Sequence, residues 1–227
     1  MFHAMTADMP TPSAPKLVQL LAGDAADDLA EQPKATRAYL LNVANGACTK
    51  LAEKLAGPDL VLPWLLGALA APSGIAAVLM PAKQAGSLLP QLMISGWIRT
   101  RSQRKWVWVA AGLIQAACLL AMVAAALWLP AALAGWSIVG LLLAFSIASG
   151  CGSVSFQDVT PKTIPEGARG RMLSNRSAIG GAFALATGVW LSTGMNGTDA
   201  LAPLLILVGA AAVLWAAAAI LFAGIPE

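Results

Sequence analysis

From Trp106 to Gln157 the chain contains no Asp, Glu, Lys or Arg. A helix that crosses a bilayer needs about 20 mostly apolar residues, so this run is long enough for two crossings and a turn. A second run extends from Ser177 to Pro226, interrupted by Asp199 alone, and a third from Leu60 to Ile98, interrupted by Lys83 alone. In hydrocarbon, backbone N–H and C=O groups must be satisfied within a helix or around a closed barrel. The residue-by-residue alternation of a barrel strand is absent, so each run reads as a helical hairpin. Composition agrees: 58% of the 227 residues are hydrophobic and 11% are charged, against roughly 25% charged in a soluble domain. The expected fold class is all-α, an integral membrane six-helix bundle.

Turn residues set the span ends. Leu129-Pro130 and Gly135 divide the run from 106 to 157, and Asn196-Gly197-Thr198-Asp199 divides the last one. These breaks predict spans at 106–129, 133–157, 171–194 and 200–223. The block before them admits two readings. One has spans at 60–80 and 84–98. The preferred one has a continuous first span at 39–70, a turn at Ala71-Pro72-Ser73-Gly74 and a second span at 75–98. On that reading the first span carries Asn42, Asn45, Lys50, Glu53 and Lys54. Residues 1–36 hold Pro10, Pro12, Pro15 and an acidic cluster at Asp24, Asp27, Asp28 and Glu31. They lack the basic start and apolar core of a secretory signal and are expected to form a soluble, flexible cytoplasmic tail before a bundle at 37–227.

Orientation follows from the positive charges, because cytoplasmic loops are enriched in Lys and Arg. Arg99, Arg101, Arg104 and Lys105 cluster in one connection; Lys162, Arg169, Arg171 and Arg176 cluster in another; Lys16, Lys34 and Arg37 lie in the tail. The turns near 72, 132 and 197 have neither residue type. Six spans with both termini cytoplasmic satisfy every connection at once, and the expected location is a cell membrane (the inner membrane in a bacterium).

Catalytic signals are absent. No Ser/His pair, paired Asp or His-rich cluster lies within the spans. Cys48, Cys118 and Cys151 are far apart and form no CxxC, so neither metal nor disulfide is indicated. No Gly-rich loop precedes a Lys-Ser or Lys-Thr pair, which argues against a nucleotide-driven motor. The chain is therefore read as a non-enzyme without cofactor, and its net charge of +3 indicates no nucleic-acid partner. Polar groups within spans mark solute or ion paths by default, since lipid penalises them. The candidates are Asn42, Asn45, Lys50, Glu53, Lys83, Gln84 and Gln91, with Gln115 also inside a span. Glu53 follows Lys50 at a spacing that permits pairing, and Lys83 has the alternative of snorkelling to the interface. Asp158 is placed to pair with Arg169, Arg171 or the 99–105 cluster. Gly180, Gly181 and Gly188 give one helix a small-residue surface suited to close packing.

Three segments resemble the N-terminal six-helix half of a major facilitator superfamily transporter. The first is Leu60-Val-Leu-Pro-Trp64 with Gln84-Ala-Gly-Ser-Leu-Leu-Pro-Gln91. The second is Gly96-Trp-Ile-Arg99-Thr-Arg101-Ser-Gln-Arg104-Lys105, which is similar to the superfamily's signature loop between spans two and three. The third is Asp158-Val-Thr-Pro-Lys162-Thr-Ile-Pro-Glu-Gly-Ala-Arg169-Gly-Arg171, similar to the loop joining spans four and five. Thr100 stands where the signature carries aspartate, and Gln103 where it carries glycine. The resemblance implies transport of a small solute by alternating access, with gating loops at Gly96, Arg101, Lys105, Asp158, Arg169 and Arg171. Such transporters have two halves with the site between them, and this chain ends just after the sixth expected span. The expectation is a half-transporter that works as a homodimer, works with a separate second half, or is a truncated fragment. Its partners are then the lipid bilayer and a small-molecule solute. Two alternatives stand beside it: a six-span permease subunit of an ATP-driven transporter, docking through 158–171, and a non-transporting membrane scaffold.

Overall fold

A computed structural model describes residues 16–93, 103–194 and 201–227. Every regular element among them is helical: α1 (Lys16–Ala22), a 3-10 turn (Gly23–Ala25), α2 (Ala26–Ala30), α3 (Pro33–Leu55), α4 (Val61–Ala68), α5 (Ser73–Met93), α6 (Lys105–Trp128), α7 (Ala131–Thr163), α8 (Glu166–Gly194) and α9 (Leu201–Ala223). Helices α6, α7 and α9 are each long and apolar enough to cross a membrane, which makes the described residues those of a helical membrane protein. Their outward faces carry Leu113, Ile114, Leu120, Leu127, Ile206, Val213 and Ile220, all exposed, which is the surface that lipid covers. Helices α3, α5 and α8 are more polar.

Local chemistry fixes the ends. Leu129 is extended ahead of Pro130, which opens α7; a residue before proline is steered out of the helical region. Ala70 turns through a positive φ of 53° between α4 and α5. Helix α7 has 33 residues, about 50 Å at 1.5 Å per residue, and so outreaches a hydrocarbon core of about 30 Å.

Two expectations need correction. The stretch 39–70 is not one helix: Gly57-Pro58-Asp59 separates α3 from α4. Pro58 cannot donate to the preceding turn, and its ring clashes with that turn's carbonyl. The 158–176 connection is not a loop either. Helix α7 continues through Pro161 to Thr163, and α8 begins at Glu166. Asp158 therefore lies on α7, and Arg169 and Arg171 lie on α8. The expected helix end at 94–98, the turn at 196–199 and the candidates Gly96 and Arg101 lie outside the described residues, as do residues 1–15.

Residues 16–30 fall within the expected flexible tail, yet they form α1 and α2, with Val18, Ala22, Ala26 and Leu29 buried. The Leu21 carbonyl, near the C-terminus of α1, accepts from Tyr39 Oη (2.9 Å), Asn175 Nδ2 (2.7 Å) and Arg171 Nε (3.3 Å). Three donors on two other helices thus satisfy a carbonyl that a helix end leaves open. Gly23 follows with φ +57°, a conformation suited to glycine.

Five extensive contacts organise the bundle: α3 with α8, α3 with α9, α6 with α9, α6 with α7, and α5 with α7. Counting α3–α4 as one unit and numbering the six units along the chain, an exchange of unit one with four, two with five and three with six leaves this pattern unchanged. Close approaches are made at glycines. A Cβ on Gly150 would lie 2.6 Å from the Ser87 carbonyl oxygen, and one on Gly86 would lie 2.9 Å from that of Leu143, so α5 and α7 nearly touch backbone to backbone. The core between α6 and α9 is aromatic. Trp108 stacks on Phe222 at 4.3 Å, and Phe145 meets Trp215 edge-on at 5.6 Å, contacts worth about 0.5–1.5 kcal/mol each beyond area burial.

One end of the bundle is strongly basic. Arg104 pairs with Asp158 at 3.1 Å, and Lys105 Nζ donates to the carbonyls of Ala223 and Ile225. The Glu227 carboxylate accepts from the backbone N–H groups of Arg104 (3.1 Å) and Lys105 (2.8 Å) and from Lys162 Nζ (3.3 Å). A carboxylate there satisfies open donors at the start of α6 and complements its dipole. Arg169 donates to the carbonyls of Pro161 and Ile164, both at 2.9 Å, closing the end of α7. The starts of α3, α6 and α8 and the ends of α7 and α9 thus share one end, while Ile75 at the start of α5 packs on Gly135 near the start of α7 at the other.

Candidate functional site

The polar centre forms where α3 meets α8 and α9. Asn45 is fully buried; its Nδ2 donates to the Ala218 carbonyl at 2.9 Å, and its Oδ1 accepts from Arg176 Nη1 at 3.2 Å. Arg176 Nη1 also donates to the Asn42 backbone carbonyl at 2.8 Å. The guanidinium lies over the Phe156 ring at 4.6 Å, a cation–π contact. Room for it comes from Gly46, whose Cβ would sit 2.2 Å from Arg176 Cγ. One turn on, Lys50 packs against Gly180, where a Cβ would lie 2.5 Å from its own Cβ. Of the three glycines expected to form a packing surface, only Gly180 has such a contact; Gly181 and Gly188 face open space.

Two ion pairs follow along the first unit. Lys50 Nζ meets Glu53 Oε2 at 2.9 Å, and Lys54 Nζ meets Asp59 Oδ2 at 2.8 Å. The second pair spans the break between α3 and α4. These side chains stay partly open, 43% and 34% exposed for Lys50 and Glu53.

Two neighbouring hollows border this polar centre. The larger, about 410 Å³, is lined by Lys50 and Glu53 from α3, Trp108 and Gln115 from α6, Ser153 and Phe156 from α7, Arg176 and Ser177 from α8, and Trp215 from α9. The smaller, about 110 Å³, lies beside the helix break and is lined by Glu53, Gly57, Pro58, Lys83, Ser87 and Ser146 among others. Glu53 and Ser149 belong to both. A groove of about 640 Å³ between α6 and α7 is larger, but its walls are chiefly Ala, Ile, Val and Trp106, the lining of a lipid-facing crevice. Chemistry therefore favours the polar pair of hollows.

The structure brings Lys50, Glu53 and Lys83 together around these hollows and holds Asn42 and Asn45 directly behind them. Gln84 is exposed on α5 and Gln91 half-buried; neither lines either of these two hollows. Asp158, Lys105, Arg169 and Arg171 belong to the basic end. Arg176 is the residue that sequence reasoning missed as a site group, having been counted with the loop charges. The signal available was its place beside Ser177, at the edge of the last long apolar run. Asp59 was missed too, although Gly57-Pro58-Asp59 is a breaker sequence.

No protein-family model matches the chain, and neither does any characterised protein or solved structure.

Proposed function

We propose that the chain is a six-span half of a secondary transporter of the major facilitator type, moving a small solute by alternating access. One observation carries the reading: the bundle has two unlike sides. The α6–α9 side is apolar, while α3 and the break after it leave the pairs Lys50–Glu53 and Lys54–Asp59 partly exposed near the middle of the 39–70 stretch. A charge at that depth costs about 2.5–3.5 kcal/mol against lipid, so this side calls for water and a second six-helix unit. The exchange-invariant contact pattern supports the same reading, because halves of this transporter class contain two related three-helix units. So does the interrupted first unit, since broken helices line transporter sites. The basic end supports a cytoplasmic placement of both termini.

Cysteine labelling in a background free of Cys48, Cys118 and Cys151 tests the topology and the mechanism together. A Gln103→Cys variant is expected to react with impermeant maleimide only from the cytoplasm, and Gly197→Cys only from outside. Reaction of both from one side refutes six spans. Ser153→Cys, in the larger hollow, is expected to be reachable from each side in turn; access from a single side under all conditions refutes alternating access. Cross-linking in native membranes is expected to trap a species of twice 23.2 kDa if a second copy supplies the missing half, and a strictly monomeric chain that transports contradicts that assembly.

A further inference from the structure

Arg176 is 9% exposed and makes no salt bridge among the described residues, although Glu53 is near enough to act on its charge through space. Its contacts are neutral: the Asn42 carbonyl, the Asn45 amide oxygen and the Phe156 ring. Glu53 shares the larger hollow, but its carboxylate is bound to Lys50. Lys50, Glu53 and Arg176 together leave the wall with one net positive charge. Two further donors line the same hollow. Gln115 is 2% exposed and Trp215 is 4% exposed, and neither Gln115 Nε2 nor Trp215 Nε1 has a hydrogen-bond partner among the described residues. Buried polar groups are nearly always satisfied, and a buried charge is costly until it is paired. The three call for one kind of group: Arg176 lacks a counter-charge, and the two neutral donors lack acceptors. Three aromatic rings, Trp108, Trp215 and Phe156, also line it, beside the hydroxyls of Thr49, Ser149, Ser153 and Ser177. At about 410 Å³ the hollow falls in the roughly 300–1,000 Å³ range of small-molecule sites.

We infer that this hollow binds a small organic monoanion, a carboxylate on a flat apolar body, with the carboxylate toward Arg176 and the body against the tryptophans. A single net charge in the wall matches a monoanion rather than a phosphate dianion, and charge-assisted hydrogen bonds to guanidinium favour a carboxylate over its neutral amide. The assignment rests on the reading of the hollow as the solute path and adds a substrate class to it.

The test uses the full chain in nanodiscs of zwitterionic lipid, so that no anionic headgroup competes, with radiolabelled benzoate as probe. Benzoate is expected to bind saturably. Benzamide and benzylammonium are expected to compete at least about tenfold less well than unlabelled benzoate. Arg176→Gln is expected to weaken benzoate binding by about tenfold or more, with Arg176→Lys restoring part of the loss. If Arg176→Gln fails to fold, the three-analogue comparison on the unaltered protein decides. Absence of saturable benzoate binding, equal competition by benzamide, or undiminished binding by a folded Arg176→Gln variant overturns the assignment. Benzoate selectivity with Ser153→Cys reachable from only one side leaves the anion site standing and removes the transport reading. Two-sided access without anion preference does the reverse.

Discussion

Replacing Asn45 with leucine is expected to lower the stability of the folded bundle by about 3 kcal/mol, while the same change at Asn42 is expected to shift it by no more than about 1 kcal/mol. Both asparagines are buried on α3, and sequence alone gives no reason to separate them. The geometry does. The Asn45 side chain joins three helices, donating to Ala218 on α9 and accepting from Arg176 on α8. Leucine there takes one of two acceptors from the guanidinium and a donor from the Ala218 carbonyl, and hydrogen bonds to charged groups are worth about 1.5–3 kcal/mol. Asn42 meets Arg176 through its backbone carbonyl, which any residue supplies. Its side chain donates only to Ala38 within the same helix, and its Oδ1 has no partner among the described residues. Unfolding of the purified variants by graded denaturant in detergent compares the two. Equal losses would mean that the Asn45 side chain does not hold Arg176.

A valine at position 150 is expected to be worse still, costing more than about 3 kcal/mol or preventing folding, because overpacking alone costs about 1–3 kcal/mol where side chains can yield. Here the obstacle is backbone. A Cβ on Gly150 would meet the Ser87 carbonyl oxygen at 2.6 Å and the Pro90 ring at 3.2 Å, so α5 and α7 must separate. Gly140 lies on the same helix with nothing within 4 Å of its Cβ position. Gly140→Val is expected to be neutral or slightly stabilising, as leaving glycine favours helix. The yield of monodisperse protein and the denaturation midpoint of each variant provide the comparison. Similar behaviour of the two would show that the α5–α7 crossing is looser than the glycine contact implies.

How far the architecture could be read in advance depended on what each segment's neighbours contribute. The starts of α6, α7 and α9 were legible because a charge-free run and Leu129-Pro130 are local facts, and they fall within two residues of expectation; α7 runs on to Thr163, past its expected end at 157. The break at Gly57-Pro58 is also written locally, but the apolar run that follows it has the length of a continued span. Arg176 was illegible for another reason. One arginine at the edge of an apolar run belongs to a loop or to a core according to what stands opposite, and what stands opposite is the space left by Gly46, 130 positions earlier in the chain. Residues 16–30 follow the same logic. Their acidic sequence is that of a tail, and their order comes from Tyr39, Arg171 and Asn175, which gather on the Leu21 carbonyl. Lys50, Glu53 and Asn45 were legible as candidates because a polar side chain within an otherwise apolar segment is conspicuous wherever it is placed.

The clasp on Glu227 bears on how two copies can be joined. Its side chain is enclosed between the start of α6 and Lys162, 5% exposed, while the chain's last peptide remains at the basic end. The docked N-terminal helices lie against the starts of α3 and α8, at that same end. A genetic fusion that runs from Glu227 of one copy into the N-terminal segment of the next therefore needs only a surface linker, with no additional crossing of the bilayer.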